Sequence, residues 1–166
     1  MNILITGVHG FVGSNLVSYL KGGNTIYGLD IVSPVVDGVV QTYSWDDLDA
    51  GRVPDVDAVI HLAGKAHDTK NKAAAEVYFR VNTGLTQKIF DYFLASGAKK
   101  FVFFSTAKAA ADRVEGVLTE EVIPAPVGPY GESKIKAEEY ILSKDLPEDK
   151  QVYVFRPCMI HGSGNK

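Results

Sequence analysis

The chain alternates between short apolar runs and longer segments whose apolar residues recur every three or four positions. The short runs predict buried strands at 2–6, 25–29, 39–43, 57–62, 100–104 and 151–155. The longer segments predict helices at 11–21, 73–96 and 130–143, with a loop over 112–129. Strands that alternate with helices form βαβ units, so we expect an α/β fold with a parallel sheet and right-handed crossovers.

The composition fits one compact domain spanning residues 1–166. With 17 basic and 20 acidic side chains and a net charge of −3, the chain lacks the basic excess of a nucleic-acid-binding protein. No apolar run approaches the ~20 residues that a membrane span requires, and the glycine-interrupted N-terminus does not have a signal-peptide pattern. The single cysteine, Cys158, has no partner for an internal disulfide. We therefore expect a cytoplasmic location, with neither nucleic acid nor membrane as a partner.

Three glycines, Gly7, Gly10 and Gly13, join the first predicted strand to the first predicted helix. Such a loop turns tightly, lets the backbone approach a pyrophosphate and places the phosphates at the helix N-terminus. Asp30 ends the next strand, where a carboxylate accepts hydrogen bonds from the hydroxyls of an adenosine ribose. A carboxylate at this position repels a 2′-phosphate, and Ile31 rather than an arginine follows it. The pattern therefore favours NAD over NADP.

A tyrosine and a lysine, Tyr130 and Lys134, lie one turn apart on the last predicted helix. A cation beside a phenol favours the phenolate, which is the form that accepts a proton in acid–base catalysis. By itself such a pair is ordinary on a solvent-exposed helix, and the charged run at 132–139 is interpreted as a solvated face. The chemical meaning of the pair therefore depends on the motifs around it.

Several motifs occur in the order found in the extended short-chain dehydrogenase/reductase family. They are the glycine loop at 6–13, Asp-Ala-Val-Ile-His-Leu-Ala-Gly at 57–64, Val-Asn-Thr-Gly at 81–84, Phe-Phe-Ser-Thr at 103–106, Tyr-Gly-Glu-Ser-Lys at 130–134, Arg-Pro at 156–157 and His-Gly at 161–162. The chain resembles the NAD-dependent epimerase/dehydratase branch, which includes nucleotide-sugar 4-epimerases. The resemblance implies a doubly wound parallel sheet of the Rossmann type, with the family's smaller C-terminal substrate domain largely absent.

The resemblance also implies roles for individual residues. Tyr130 is expected to be the acid/base, Lys134 to favour its phenolate and bind the nicotinamide ribose, and Thr106 to hold the substrate oxygen. The residues expected to bind NAD are Gly7, Gly10, Phe11, Val12, Gly13, Asp30, Asp47, Leu48, Leu62, Ala63, Gly64, Asn82, Ser105, Tyr130, Lys134 and Pro157.

The four histidines do not indicate a metal site. His67 and His161 are too dispersed, and no cysteine–histidine spacing supports a metal ion. His61 lies in a predicted strand and is interpreted as a core histidine whose ring nitrogens are satisfied. His9 is interpreted only as part of the lining of the phosphate loop.

Ala107 and Lys108 follow Thr106, where nucleotide-sugar dehydratases of this family carry an Asp-Glu pair, so dehydration is not expected. The leading interpretation is a UDP-sugar 4-epimerase or C4 oxidoreductase acting on a UDP-hexose or UDP-N-acetylhexosamine in surface polysaccharide synthesis. Two alternatives stay open: a 4-keto-sugar reductase or other extended short-chain dehydrogenase, and a non-enzymatic NAD-binding regulator. Without a substrate domain, we expect little turnover from these residues alone. The predicted helices at 73–96 and 130–143 resemble those that form four-helix dimer contacts in the family, and a homodimer is a hypothesis that this resemblance implies.

Overall fold

A six-stranded parallel sheet organises the part of the chain that the computed structural model describes, residues 1–66, 74–162 and 164. The strands are β1 (Asn2–Thr6), β2 (Thr25–Leu29), β3 (Val39–Tyr43), β4 (Ala58–His61), β5 (Lys100–Phe104) and β6 (Gln151–Phe155). Their spatial order is β3-β2-β1-β4-β5-β6, and every neighbouring pair is parallel. This order is that of a Rossmann sheet, so the predicted fold class is confirmed.

The helices follow the predicted pattern with additions. They are α1 (Phe11–Leu20), α2 (Trp45–Asp49), α3 (Ala75–Tyr78), α4 (Leu85–Ala95), α5 (Ala107–Ala110) and α6 (Gly128–Leu142), with a π-helical turn, Phe79–Gly84, joining α3 to α4. The short helices α2 and α5 were not predicted. The position of His67 and the helix start predicted at residue 73 lie outside the described residues.

The start of α6 differs from the prediction for a local reason. The helix begins at Gly128, two residues before the predicted start at 130, and Pro129 occupies its first turn. Proline is well accommodated there because its missing N–H would have no intrahelical partner. The earlier start places Tyr130 within the first turn of the helix.

The core forms two layers because alternate strand residues face opposite sides of the sheet. On one side Ile3 and Ile5 of β1 pack with Val17 of α1. On the other side Leu4 packs in a larger cluster that includes Phe90 of α4 together with residues of α2, β5 and α6. In the described part of the chain, no helix is long and apolar enough to cross a membrane.

Candidate active site

The turn after β1 is shaped by close backbone packing. Gly7 has a φ of +70°, and a Cβ there would lie 2.8 Å from the backbone nitrogen of Ala63, which follows β4. A Cβ on Gly13, in the first turn of α1, would lie 2.4 Å from the carbonyl oxygen of Gly7. Only glycine fits both positions without movement of the backbone. The two glycines therefore bring the turn, the start of α1 and the segment after β4 into one cradle.

The N-terminus of α1 opens into this cradle. Its N-cap is Gly10, which offers no side-chain cap, and the first turn contains no acidic residue. The first-turn N–H groups, including those of Phe11 and Val12, have no acceptor within the helix and carry the positive end of its dipole. Since β1 and β4 are neighbours across the point where the strand order reverses, the cradle lies where Rossmann sheets bind ligands. The arrangement fits a pyrophosphate.

Asp30 lies at the carboxyl end of β2, and its carboxylate makes hydrogen bonds that the sequence does not predict. Its Oδ2 accepts the backbone N–H of His9 at 3.1 Å and lies 3.0 Å from Nδ1 of the same residue, while Oδ1 accepts the N–H of Ile31 at 2.7 Å. The other ring nitrogen of His9 is 3.2 Å from the carbonyl oxygen of Pro34. The interpretation of His9 as a mere lining residue was therefore wrong, because its ring and backbone orient the carboxylate.

Asp47 and Leu48 belong to α2, and both side chains have structural contacts. The Asp47 carboxylate accepts hydrogen bonds from the backbone N–H and hydroxyl of Ser44 at 2.9 and 2.8 Å, and from Arg52 Nε at 2.7 Å. These bonds, above all those from Ser44, lower the pKa of Asp47 to about 2. Leu48 is buried in the core. Contact of these two residues with an adenine stays a prediction.

A buried chain of hydrogen bonds runs from the cradle through β4. Thr6 Oγ1 accepts the N–H groups of Leu62 and Ala63 at 3.2 and 3.0 Å and lies 2.6 Å from His61 Nδ1. Because two donors already point at this oxygen, its own proton goes to Nδ1, which leaves the imidazole proton on Nε2. That proton faces Thr86 Oγ1 at 2.9 Å. Burial lowers the pKa of His61 to about 3, so the imidazole is neutral at neutral pH. The prediction of a satisfied core histidine is confirmed.

The chain continues to the π-helical turn and to α6. Thr86 donates to the carbonyl of Asn82 at 2.6 Å. The Asn82 amide binds both backbone groups of Lys65, accepting at 2.7 Å and donating at 3.1 Å, and also donates to Ser133 Oγ at 3.0 Å. Ser133 in turn donates to the carbonyl of Tyr130 at 2.8 Å. Asn82 therefore ties the segment after β4, which contains Gly64, to the first turn of α6.

Lys134 is buried beneath the end of β5, with only 6% of its surface exposed. Its Nζ donates to the carbonyl of Phe104 at 2.6 Å and lies 4.2 Å from the centre of the Phe103 ring. Burial lowers the pKa of Lys134 to about 7, against an opposing effect of the Glu138 carboxylate. A lysine in this position is able to exchange its proton near neutral pH.

Thr106 and Tyr130 are brought to the same end of the sheet by the packing of α5 on α6. Thr106 caps α5 and accepts the N–H of Lys108 at 3.3 Å. A Cβ on Gly131 would lie 2.5 Å from the carbonyl oxygen of Lys108, so the first turn of α6 contacts α5 directly. The Tyr130 ring also packs edge-on against the Tyr78 ring at 6.2 Å. The carbonyl of Pro157 accepts the N–H of Ala107 at 2.9 Å and so fixes the start of α5.

The charged run on α6 was misinterpreted as a solvated face. Glu132, Lys136 and Glu139 are exposed, but Lys134 and Glu138 are buried because they face the sheet. The hydroxyl of Ser105, a predicted cofactor-binding residue, donates to the Glu138 carboxylate. Glu138 was not predicted as part of the site, although its spacing of four from Lys134 places both on one helical face.

The site therefore combines a glycine cradle at a Rossmann switch point with a buried lysine, a tyrosine and a threonine at the adjacent strand ends. The cradle at the switch point is the arrangement of a dinucleotide-binding Rossmann domain. Residues 3–166 match the NAD dependent epimerase/dehydratase family, and the chain belongs to that family.

Comparisons with individual proteins agree with this assignment. The chain is 31% identical to a UDP-glucose 4-epimerase of Vibrio cholerae, covering 99% of this chain and 53% of that protein. It is 30% identical to a GDP-6-deoxy-D-mannose reductase of Pseudomonas aeruginosa, covering 99% and 54%. A short-chain dehydrogenase/reductase superfamily protein from Agrobacterium tumefaciens, solved with bound NAD, superposes with a TM-score of 0.79 at 28% identity, covering 94% and 48%. The chain thus spans about half the length of the curated relatives it matches.

Proposed function

We propose that this chain binds NAD and supplies the cofactor and catalytic half of a nucleotide-sugar epimerase or C4 oxidoreductase. The observation that carries the proposal is the position of Lys134, which is buried, lies on the same helical face as Tyr130 and donates to the carbonyl of Phe104 at the end of β5, two residues before Thr106. A buried lysine costs folding free energy, so its presence next to a tyrosine favours a chemical role over a structural one.

The cradle residues fit the cofactor. The pyrophosphate would lie against the first turn of α1, at Gly10, Phe11, Val12 and Gly13, and Asp30 would accept the hydroxyls of the adenosine ribose. A negative carboxylate repels the 2′-phosphate of NADP, which supports NAD as the cofactor. Ala63 packs against Gly7, which places the segment that contains Leu62 and Gly64 beside the cradle. When bound, NAD supplies the hydride acceptor of the reaction.

Residues of this chain would transfer the proton of the substrate hydroxyl. We infer that the Tyr130 phenolate oxygen takes the proton of the substrate C4 hydroxyl and returns it when the carbonyl is reduced. The Lys134 ammonium favours the phenolate and donates to the nicotinamide ribose. The Thr106 hydroxyl donates to the same substrate oxygen and fixes its distance from Tyr130.

The substrate class is proposed from the relatives. The Vibrio cholerae relative is a UDP-glucose 4-epimerase, which supports a UDP-hexose or UDP-N-acetylhexosamine as substrate. A role in surface polysaccharide synthesis and a cytoplasmic location are part of the proposal. The reductase from Pseudomonas aeruginosa, at 30% identity, favours a second candidate, a 4-keto-sugar reductase. Because about half of each relative's length has no counterpart here, turnover by this chain alone should be slow. A homodimer through α4 and α6 is a further proposal, and sedimentation at high concentration tests it.

Turnover of UDP-sugars tests the proposal. The chain is incubated with NAD⁺ and UDP-glucose, and sugar products are followed by NMR while absorbance at 340 nm reports reduced cofactor. An epimerase forms UDP-galactose and leaves no net reduced cofactor. A reductase instead consumes reduced cofactor, and only when a 4-keto-sugar is supplied. Tyr130→Phe should abolish either reaction, and Tyr140→Phe, on the same helix, should not. Measurable conversion at the same rate in the wild type and Tyr130→Phe would contradict the proposal.

A further inference from the structure

The least expected feature of α6 is the buried carboxylate of Glu138, which is 2% exposed. Arg156, directly after β6, donates to it through Nε at 3.0 Å and through a second guanidinium nitrogen at 2.6 Å, both to Oε2. The hydroxyl of Ser105, directly after β5, donates to Oε1. One carboxylate therefore joins the ends of two neighbouring strands to the helix that carries Lys134.

The hydrogen bonds from Arg156 and Ser105 hold the Glu138 carboxylate in a defined orientation. Two guanidinium nitrogens donate to Oε2, and Nε also lies 3.1 Å from Oε1, which accepts the serine hydroxyl as well. Charge-assisted hydrogen bonds to both oxygens restrict the orientation of the carboxylate. A buried ion pair contributes little net stability compared with apolar residues of the same volume, so stability alone is a weak reason for this one. Arg156 precedes Pro157 in the Arg-Pro motif, and although Pro157 was expected to bind NAD, no role was predicted for Arg156.

The position of Glu138 relative to Lys134 supplies a second reason. The two residues are four apart on one face of α6, and both are buried against the end of β5. Lys134 donates to the carbonyl of Phe104, and Ser105, the next residue, donates to Glu138. The nearby carboxylate raises the pKa of Lys134 against the larger lowering by burial. Removing the Glu138 charge would leave the lowering of the Lys134 pKa by burial without this opposing effect.

We propose that Glu138 is a positioning residue which, held by Arg156 and Ser105, keeps the Lys134 ammonium charged and directed at the end of β5. This inference rests on the proposed function, in which Lys134 contacts the cofactor ribose and acts on Tyr130. Glu138 itself touches neither substrate nor cofactor in this account. It acts through Lys134.

The test is an NMR titration of Lys134 in the free protein. Lysines labelled with ¹³C at Cε are followed from pH 5.5 to pH 9 in the wild type, Glu138→Gln and Glu139→Gln, with Lys134→Arg identifying the signal. Glutamine keeps the shape of the side chain and its acceptor oxygen but removes the charge. We expect Glu138→Gln to weaken proton binding by Lys134 about tenfold, as loss of a nearby opposite charge does. Glu139→Gln, at an exposed neighbouring position, should leave it unchanged. An unchanged Lys134 midpoint in Glu138→Gln would overturn the proposal.

A second measurement in the wild type avoids dependence on the variant's folding. With glutamate labelled at the carboxyl carbon, the Glu138 signal should shift at the same pH midpoint as Lys134, and the Glu139 signal should not. Absence of a shared midpoint would overturn the proposal as well. Neither titration needs cofactor, so NAD⁺ calorimetry on the same samples tests the proposed function separately.

Discussion

Replacing Lys134 by methionine tests whether the lysine is buried with a low pKa. Methionine keeps the length and apolar stem of the side chain but cannot carry a charge. In the wild type, burial lowers the pKa of Lys134 from the ordinary 10.5 to about 7. Between these two values the unfolded state holds more protons than the folded state, so folding stability rises with pH. The variant lacks this contribution.

The size of the effect follows from the shift. One pH unit inside this window is worth about 1.4 kcal/mol for a single group. Because Lys134 is still half protonated in the folded state at pH 7, the slope begins at about half of this value, and between pH 7 and pH 9 the wild type should gain about 2 kcal/mol of stability relative to Lys134→Met. The variant also loses the hydrogen bond to the Phe104 carbonyl, but that loss does not change the difference between the two pH values.

Urea denaturation at pH 7 and pH 9 measures this difference directly. Lys136→Met serves as the control, because Lys136 is exposed on the same helix and should give no comparable change. Contributions from titrating groups distant from Lys134 cancel when variant and wild type are compared at each pH. A gap between the wild type and Lys134→Met that stays constant from pH 7 to pH 9 would refute the reasoning.

Three other substitutions test separate parts of the structure. Gly13→Ala places a Cβ 2.4 Å from a backbone oxygen and should lower the free energy of unfolding in urea by about 1–3 kcal/mol. The control Gly22→Ala lies in open space and should lower it little. Equal losses of stability in the two variants would argue against the cradle. The stability of the wild type should fall by about 2 kcal/mol between pH 6.5 and pH 5, because burial holds the pKa of His61 at about 3 while the unfolded chain takes up the proton. His61→Asn should not show this fall. An unaltered pH slope in the variant would contradict a neutral His61. His9→Asn removes the ring that orients the Asp30 carboxylate and should therefore lower the preference for NAD⁺ over NADP⁺ severalfold in calorimetry. An unchanged preference would show that the ring does not position the carboxylate.

The strands could be predicted because each is a short apolar run that ends at a polar residue or glycine. The order of the sheet followed from the alternation of strands and helices, which the crossover rule constrains. Helix α2 escaped prediction because it has only five residues, although the capping box formed by Ser44 and Asp47 was a usable signal. The π-helical turn depends on contacts of Asn82 with distant residues, which no local pattern encodes.

The candidate site was predictable where spacing alone defines it. Tyr130 and Lys134 share a helical face by their spacing, and Asp30 follows a strand. The burial of Glu138 was not predictable in the same way, because an exposed and a buried glutamate look alike in a charged run. Its partner Arg156 directly follows β6, 18 residues further along the chain, so only the folded chain brings the two together. The contact of His9 with Asp30 likewise depends on how the glycine loop folds over β2.

The central claim is that the glycine cradle and Asp30 form an NAD site, and calorimetric titration with NAD⁺ and NADP⁺ tests it most directly. The wild-type chain should bind NAD⁺ more tightly than NADP⁺. Asp30→Ala should bind NAD⁺ more weakly and lose most of the discrimination, since it lacks both the ribose acceptor and the charge that repels a 2′-phosphate. Failure of the folded wild-type chain to bind either dinucleotide, or identical binding by Asp30→Ala, would contradict the account.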